Sequence, residues 1–203
     1  MMLTGGTHGD YSMKTRQIAT IEDLYGYDGK AELVNGEIVP MSPTGWLPSY
    51  AAGRIFISLD RYAARTDRGF AMTDNVGFVI RLPKRTTVSP DVAFHLEAGT
   101  MKFVEGAPVF AVEVRSEGDY GAKAEREIAS KRADYFEAGT QVVWDVDLLG
   151  EETVRVYRAG EPESVSVYRR GEIAEAEPAL PGWKFPVDSL FPDARARVIK
   201  RRR

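Results

Sequence analysis

The feature that most constrains the fold is the run from Val109 to Arg115, which reads VFAVEVR. Four of its first six residues are β-branched or aromatic, which predicts a strand. A run this apolar is typical of a strand covered on both faces of a sheet. Its single acid, Glu113, would lose its water there, and a buried carboxylate is costly unless a cation or hydrogen-bond donors compensate it. The fold must therefore supply a partner for Glu113.

The rest of the chain provides elements for such a sheet. Asn35-Gly36 between apolar flanks indicates a two-residue hairpin turn. Apolar residues at helical spacing predict helices over residues 49–64 and 122–138, and Thr20 is a candidate cap for a short helix before them. This order predicts a mixed α/β domain with one central β-sheet flanked by helices. Besides VFAVEVR, the predicted strands are 32–34, 37–39, 70–72, 77–82, 91–94, 142–146, 154–157 and 164–168.

The length and composition of the chain limit the class of protein. A chain of 203 residues fits one domain with a sizeable core. We predict that domain over residues 16–192, between a disordered leader at 1–15 and a basic tail at 193–203. No apolar run approaches the ~18 to 20 residues of a membrane span, and the N-terminus lacks an apolar signal core. Together with the absence of cysteine, these features favour a cytoplasmic protein that does not act in a membrane.

The same composition limits metal and nucleic-acid chemistry. The chain has no cysteine and two histidines, His8 and His95, which argues against a zinc site. A metal would rely on oxygen ligands, which favour magnesium, calcium or manganese. A net charge of −3 and a pI of about 5.6 argue mildly against an obligate nucleic-acid binder, although a local basic patch can still bind phosphate.

A second acid stands at the entry to another predicted strand. In Ser89-Pro90-Asp91-Val92, the proline suits the first position of a strand, where no ladder donor is needed. Proline followed by aspartate is also ordinary turn chemistry, so Asp91 taken alone is better explained as a turn residue. Only a partner elsewhere in the sequence would make it functional.

That partner is predicted by the helix at 122–138. Its apolar stripe contains Ala124, Ile128 and Tyr135, and Lys131 falls within the same stripe by the 3.6-residue period. Lys131 could extend its tip to solvent, or it could be held near a buried carboxylate. Glu127, one turn earlier, is an alternative partner at the edge of the stripe.

Two acids on neighbouring strands and one inward lysine, together with a divalent cation, are the minimal equipment for hydrolysis of a phosphodiester. Two carboxylates can hold Mg²⁺ or Mn²⁺ with waters completing the shell. The cation lowers the pKa of a bound water, and a lysine can orient that water or stabilise the developing anion. A structural ion pair in a domain with another task remains an alternative.

These segments resemble the Uma-type restriction endonuclease family of bacteria, which is placed in the PD-(D/E)XK nuclease superfamily. The resemblance covers residues 20–170 and implies a restriction-endonuclease-like fold with magnesium-dependent cleavage of DNA. It assigns Asp91 and Glu113 as metal ligands, with the main-chain carbonyl of Val114 as a further ligand, and Lys131 as the catalytic lysine. The segments that carry it are AELVNGEIVPMSPTG, SPDVAF, VFAVEVRS and KRADYFEAGTQVVWDVD.

The resemblance also assigns supporting residues. Glu32 matches an acid of the opening hairpin, and Arg115 occupies the position where the superfamily usually has its lysine. Because arginine stays charged at any working pH, we expect Arg115 to bind phosphate or brace the site rather than act as a base. Ser116 is assigned a supporting role, whereas Tyr135 is interpreted as packing.

The sequence departs from the family in one place that bears on catalysis. The family often has a histidine at the start of the helix after the MSP loop, where this chain has Pro48. A catalytically silent domain that binds DNA or a protein partner is therefore the alternative to a nuclease. For an active nuclease we expect a homodimer, because two sites related by a two-fold axis can cut both strands of a duplex.

Overall fold

The computed structural model describes residues 18–192. The predicted leader and basic tail lie outside the described residues, and the domain limits of 16–192 stay a prediction. No helix within the described part of the chain is both long and apolar enough to cross a membrane.

Three α-helices occur within residues 18–192. The first begins with a capping box, in which Thr20 and Asp23 each accept the backbone N–H of the other. The second begins three residues before the predicted position, because Pro48 lies in its first turn, where the missing N–H has no intrahelical partner. The helices are α1 Ile21–Tyr25, α2 Trp46–Thr66 and α3 Ala122–Glu137, and a 3-10 helix follows at Val187–Leu190.

The strands of the described residues form one large sheet and three small ones. The large sheet has six strands, and the small ones have two, two and three. In chain order the strands are β1 Ala31–Val34, β2 Glu37–Pro40, β3 Phe70–Thr73, β4 Phe78–Val79, β5 Thr87–Val88, β6 Val92–His95, β7 Val104–Glu105, β8 Phe110–Val114, β9 Val142–Asp147, β10 Thr153–Arg158, β11 Glu161–Arg169, β12 Ile173–Glu175 and β13 Lys184–Pro186.

The predicted hairpin is confirmed, and one predicted strand is wrong in extent. β1 pairs with β2 across Asn35 and Gly36, whose φ angles of 51° and 71° suit the tight turn. The strand predicted over 77–82 is reduced to β4, because the chain reverses after it. Arg81 has a φ of 49°, and its N–H donates to the carbonyl of Thr86.

The large sheet has the order β11-β10-β9-β8-β6-β3, so VFAVEVR is a central strand. β8 is parallel to β9, and the other neighbours in this sheet are antiparallel. A parallel pair needs a crossover connection, and α3 provides it between β8 and β9. The predicted mixed sheet flanked by helices is confirmed.

Hydrophobic clusters cover both faces of this sheet. On one face Phe110 and Val112 of β8 pack in a core that includes Ile55 of α2. On the other face Ala111 of β8 packs with Tyr135 of α3. Since alternate residues of a strand share a face, Glu113 lies on the α3 side of the sheet.

Candidate active site

Asp91 lies directly before β6, beside the end of β8. Its N–H donates to the carbonyl of Val112 over 3.1 Å, and its carboxylate Oδ2 accepts the N–H of Val114 over 2.7 Å. The antiparallel pairing of β6 with β8 is thus extended by one residue, with the Asp91 carboxylate as the acceptor for the N–H of Val114. Asp91 and Glu113 consequently stand at adjacent positions of the sheet, as the sequence predicts.

The backbone of Val114 completes this edge. The N–H and C=O of one strand residue point toward the same neighbouring strand. Since the N–H of Val114 donates to Asp91, its carbonyl is directed toward the same side. The carbonyl predicted as a ligand therefore lies on the side of the Asp91 carboxylate.

Lys131 is held between two carboxylates rather than extended to solvent. Its Nζ lies 2.9 Å from Oε1 of Glu113 and 3.0 Å from Oε1 of Glu32, and 15% of its side chain is exposed. Glu127, the alternative partner, instead lies 3.6 Å from Lys123 on the outer surface. The stripe of α3 thus brings Lys131 to the acid of β8, as the helical period predicts.

Glu32 links the β1–β2 hairpin to this group. Its carboxylate is buried and accepts two hydrogen bonds, one from Nη1 of Arg85 over 2.6 Å and one from the backbone N–H of Ser89 over 2.9 Å. Arg85 also donates through Nε to Asp134 of α3 over 2.6 Å. Glu32 and Arg85 therefore fix the hairpin against the helix that carries Lys131.

Tyr135 belongs to the site as well as to the core. Its ring is fully buried, and its hydroxyl donates to Oε1 of Glu113 over 2.6 Å. Burial raises the pKa of Tyr135 well above its ordinary value, so the hydroxyl keeps its proton and remains a donor. The interpretation of Tyr135 as packing alone is incomplete.

The electrostatics of the two proposed ligands differ from ordinary carboxyl groups. Burial raises the pKa of Glu113 to about 7 in spite of the charge of Lys131, and the nearby Asp91 and Glu32 carboxylates add to the rise. Burial also raises the pKa of Asp91, although the Val114 N–H and the charge of Lys30 oppose it. Negative charge at these two residues is thus incompletely compensated by the protein.

The other two charged residues of the group keep their ordinary ionised forms. Burial would raise the pKa of Glu32, but the charges of Lys131 and Arg85 hold it below its usual value. Burial would lower the pKa of Lys131, but the carboxylates of Glu113 and Glu32 raise it instead. Lys131 is therefore a charged ammonium that can hold a water or an anion and cannot act as a base.

Arg115 lies in a neighbouring ion cluster. Its Nε and Nη2 each donate to one oxygen of Asp145 over 2.6 Å, and both of its terminal nitrogens also reach Glu125. Asp145 is the β9 residue opposite Glu113 in the register. Arg115 thus braces β8, β9 and α3, while the hydroxyl of Ser116 lies 3.0 Å from that of Thr44 in the loop before α2.

The donor set fits a hard cation that keeps part of its water shell. Within residues 18–192, no three acids or histidines lie close enough together to hold a metal by themselves. Lys131 and Tyr135 both contact Oε1 of Glu113, so Oε2 is the oxygen that can face a cation. Oδ1 of Asp91 is the oxygen not engaged by Val114. Two carboxylate oxygens and one carbonyl suit Mg²⁺, which usually retains several waters.

Sequence reasoning missed Arg85 and Lys30. Arg85 follows a chain reversal that no apolar period signals. Lys30, which precedes β1, forms an ion pair with Asp74, and its Nζ lies 3.9 Å from Oδ1 of Asp91. Its position just before a hairpin whose acid points into the site was the only available signal.

Comparisons with known proteins show the family and the fold of this chain. Residues 18–188 match the model of the Uma2 family, described as "Putative restriction endonuclease". No significant match to a curated protein is found.

Among solved structures, a crystal structure described as "a putative nuclease belonging to DUF820" from Anabaena variabilis is similar in fold. Its TM-score is 0.69 at 15% sequence identity, and the match covers 85% of this chain and 97% of that one. At this identity the likeness shows the fold, while the family model extends over most of the chain. This protein belongs to the Uma2 family of restriction-endonuclease-like proteins.

Proposed function

We propose that this protein is a metal-dependent endonuclease that hydrolyses DNA phosphodiester bonds. The observation that carries the proposal is the meeting of Asp91, Glu113 and the charged Lys131 at one edge of the central sheet. Family membership and the shared fold support a nuclease role.

In this proposal Asp91, Glu113 and the carbonyl of Val114 hold Mg²⁺ or Mn²⁺. The bound cation would supply a water of lowered pKa and neutralise charge developing on the phosphate. Lys131, fixed by Glu113 and Glu32, orients the attacking water toward the phosphorus and stabilises the developing anion. Tyr135 holds Glu113 in place through its hydroxyl.

Arg85, Glu32 and Arg115 act through other residues. Arg85 and Glu32 position Lys131 from the hairpin side. Arg115 braces the strands and α3 through Asp145 and Glu125, which favours the bracing role over phosphate binding. A cytoplasmic homodimer acting on duplex DNA is part of the same proposal.

The direct test is nicking of a supercoiled plasmid with Mg²⁺ or Mn²⁺. We expect the wild type to nick and Asp91→Asn to lose nicking while keeping its fold, because the change removes one ligand charge. Asp60→Asn, at an exposed position of α2, is the matched control and should nick normally. Nicking that persists equally in Asp91→Asn would remove the support for this function.

A catalytically silent domain that binds DNA or a protein is the second candidate. The observation in its favour is that Lys131 is already engaged by two carboxylates, which an ion pair without catalysis would also show. Calorimetry with Mn²⁺ separates the two candidates. Binding abolished by Glu113→Gln supports the nuclease, and absence of binding to the wild type supports the silent domain.

A further inference from the structure

We infer that a cavity beside the acids holds the base of a nucleotide whose phosphate lies at the proposed metal site. The cavity has a volume of about 180 Å³ between α1, the hairpin and the start of β6. An apolar cavity of roughly 150 Å³ holds a benzene ring, so this volume suits a six-membered base ring. Residues that line it include Tyr25, Lys30, Ala31, Asn75, Ser89 and Phe103.

Ser89, one of the residues that line the cavity, carries a hydroxyl without a partner. Ser89 is 4% exposed, and its Oγ is buried without a hydrogen-bond partner. A buried hydroxyl left unpaired normally costs free energy, so such groups call for an explanation. The edge of a base carries both donors and acceptors that a serine hydroxyl can satisfy.

The aromatic wall of the cavity is held in a fixed orientation. The rings of Tyr25 and Phe103 are 4.5 Å apart, and the hydroxyl of Tyr25 accepts the backbone N–H of Phe103 over 3.0 Å. Bases stack on such rings with little dependence on sequence. The combination of aromatic rings, a hydroxyl and the amide of Asn75 is suited to a nucleobase.

Lys30 connects the cavity to the acids. It lines the cavity, while its Nζ lies 3.9 Å from Oδ1 of Asp91. Ser89 lies two residues before Asp91, and its N–H donates to Glu32. A base in the cavity would therefore have its own phosphate near Asp91, where Lys30 can neutralise part of its charge.

The geometry points to an unpaired nucleotide as the substrate at the cut. A base within a duplex is stacked and paired, and it reaches a pocket only from a single strand or after extrusion. This inference rests on the proposed nuclease function, because it places the scissile phosphate at the same acids. Binding of the base can nevertheless be measured without cleavage.

The test is titration of the full chain in EDTA with thymidine 5′-monophosphate and with inorganic phosphate. We expect the nucleotide to bind at least tenfold more tightly than phosphate. Ser89→Ala should lower nucleotide affinity about tenfold, and Ala31→Leu, which fills the cavity from β1, should bring it to the level of phosphate. Thr153→Val removes another buried, unpartnered hydroxyl, distant in sequence on β10, and should change nothing.

Equal binding of nucleotide and phosphate, or nucleotide binding unaffected by both cavity variants, would overturn the inference. The two proposals fail separately. A protein that nicks plasmid but binds the nucleotide no better than phosphate loses the base site alone. A protein that binds the nucleotide through Ser89 but never cuts loses the nuclease function alone.

Discussion

Two ion clusters lie side by side on the α3 face of the sheet, and they differ in how completely their charges are paired. In the arginine cluster, formed by Arg115, Asp145 and Glu125, one guanidinium meets both oxygens of a buried carboxylate over 2.6 Å. In the carboxylate cluster, formed by Asp91, Glu113, Glu32 and Lys131, one ammonium is shared between two acids. The third acid, Asp91, has Lys30 as its nearest cation among residues 18–192, at 3.9 Å.

The cluster with the more complete pairing is also the more deeply buried one. The side chains of Arg115 and Asp145 are each 3% exposed, whereas those of Asp91 and Glu113 are each 23% exposed. A buried pair with every donor matched has little left to offer a ligand. Acids with raised pKa values and an open side can accept a cation, which is why perturbed carboxyl groups mark functional sites. The arginine cluster therefore stabilises the fold, and the carboxylate cluster is suited to catalysis.

The largest effect is expected from breaking the arginine cluster. Arg115→Met leaves the buried Asp145 with the more distant Arg155, 3.8 Å away, as its cation. Losing the closer partner of a buried ion pair costs about 3–5 kcal/mol of unfolding free energy. Urea unfolding measures it. Arg81→Met is the control, because Arg81 pairs with Glu105 at the surface, where an ion pair contributes little to stability. Equal losses in the two variants would mean that Arg115 is no more structural than a surface residue.

The next effect falls on catalysis. Lys131→Met should lower the nicking rate by about 10²- to 10³-fold, the range found when one donor to a transition state is removed. Calorimetric Mn²⁺ binding should survive, since Asp91 and Glu113 remain. Lys123→Met, on the outer side of the same helix, should nick at the wild-type rate. Loss of metal binding in Lys131→Met would instead indicate that the lysine merely maintains the site.

A pH-dependent effect of similar size is expected from Glu113. Its folded-state pKa of about 7 exceeds the unfolded value of 4.5, so the native state binds the extra proton and loses stability as pH rises between these values. Glu113→Gln removes this loss, and its stability relative to the wild type should rise by up to about 3 kcal/mol from pH 4.5 to pH 8. Urea titrations in EDTA at several pH values measure the change. A constant difference across this range would contradict it.

The smallest effect is expected at Lys30. Its charge lies 3.9 Å from Oδ1 of Asp91 and opposes a cation bound there. Lys30→Met should therefore tighten Mn²⁺ binding about threefold, the scale of one partly exposed charge at this distance in a high dielectric. Lys84→Met supplies the control at an exposed position. Weaker Mn²⁺ binding in Lys30→Met would show that the lysine supports the site rather than opposing the cation.

The carboxylate cluster was more predictable from the sequence than the arginine cluster. Lys131 could be placed because the helical period is local, and Glu113 because a lone acid in an apolar strand is conspicuous. The pairing of Arg115 with Asp145 depends on the register between β8 and β9, which are separated by a whole helix. Arg85 reaches Glu32 only because the chain reverses at Arg81, where the sequence predicts an uninterrupted strand.

The same difference between local and long-range signals explains which parts of the fold the sequence predicts. Asn35-Gly36 fixes its hairpin through local backbone preference, and Thr20 fixes a helix start through its own hydrogen bonds. The short strands β5, β7, β12 and β13 were not predicted. Two or three residues carry too little period to distinguish a strand from a loop.

The account depends most directly on a cation held by Asp91 and Glu113. Diffraction from crystals soaked in Mn²⁺, recorded for anomalous scattering, tests this without any assay of cleavage. We predict one strong peak in contact with the carboxylates of both residues, and its loss in Glu113→Gln crystals. A soaked crystal without a peak between these two carboxylates, at a Mn²⁺ concentration that supports nicking in solution, would contradict the central claim.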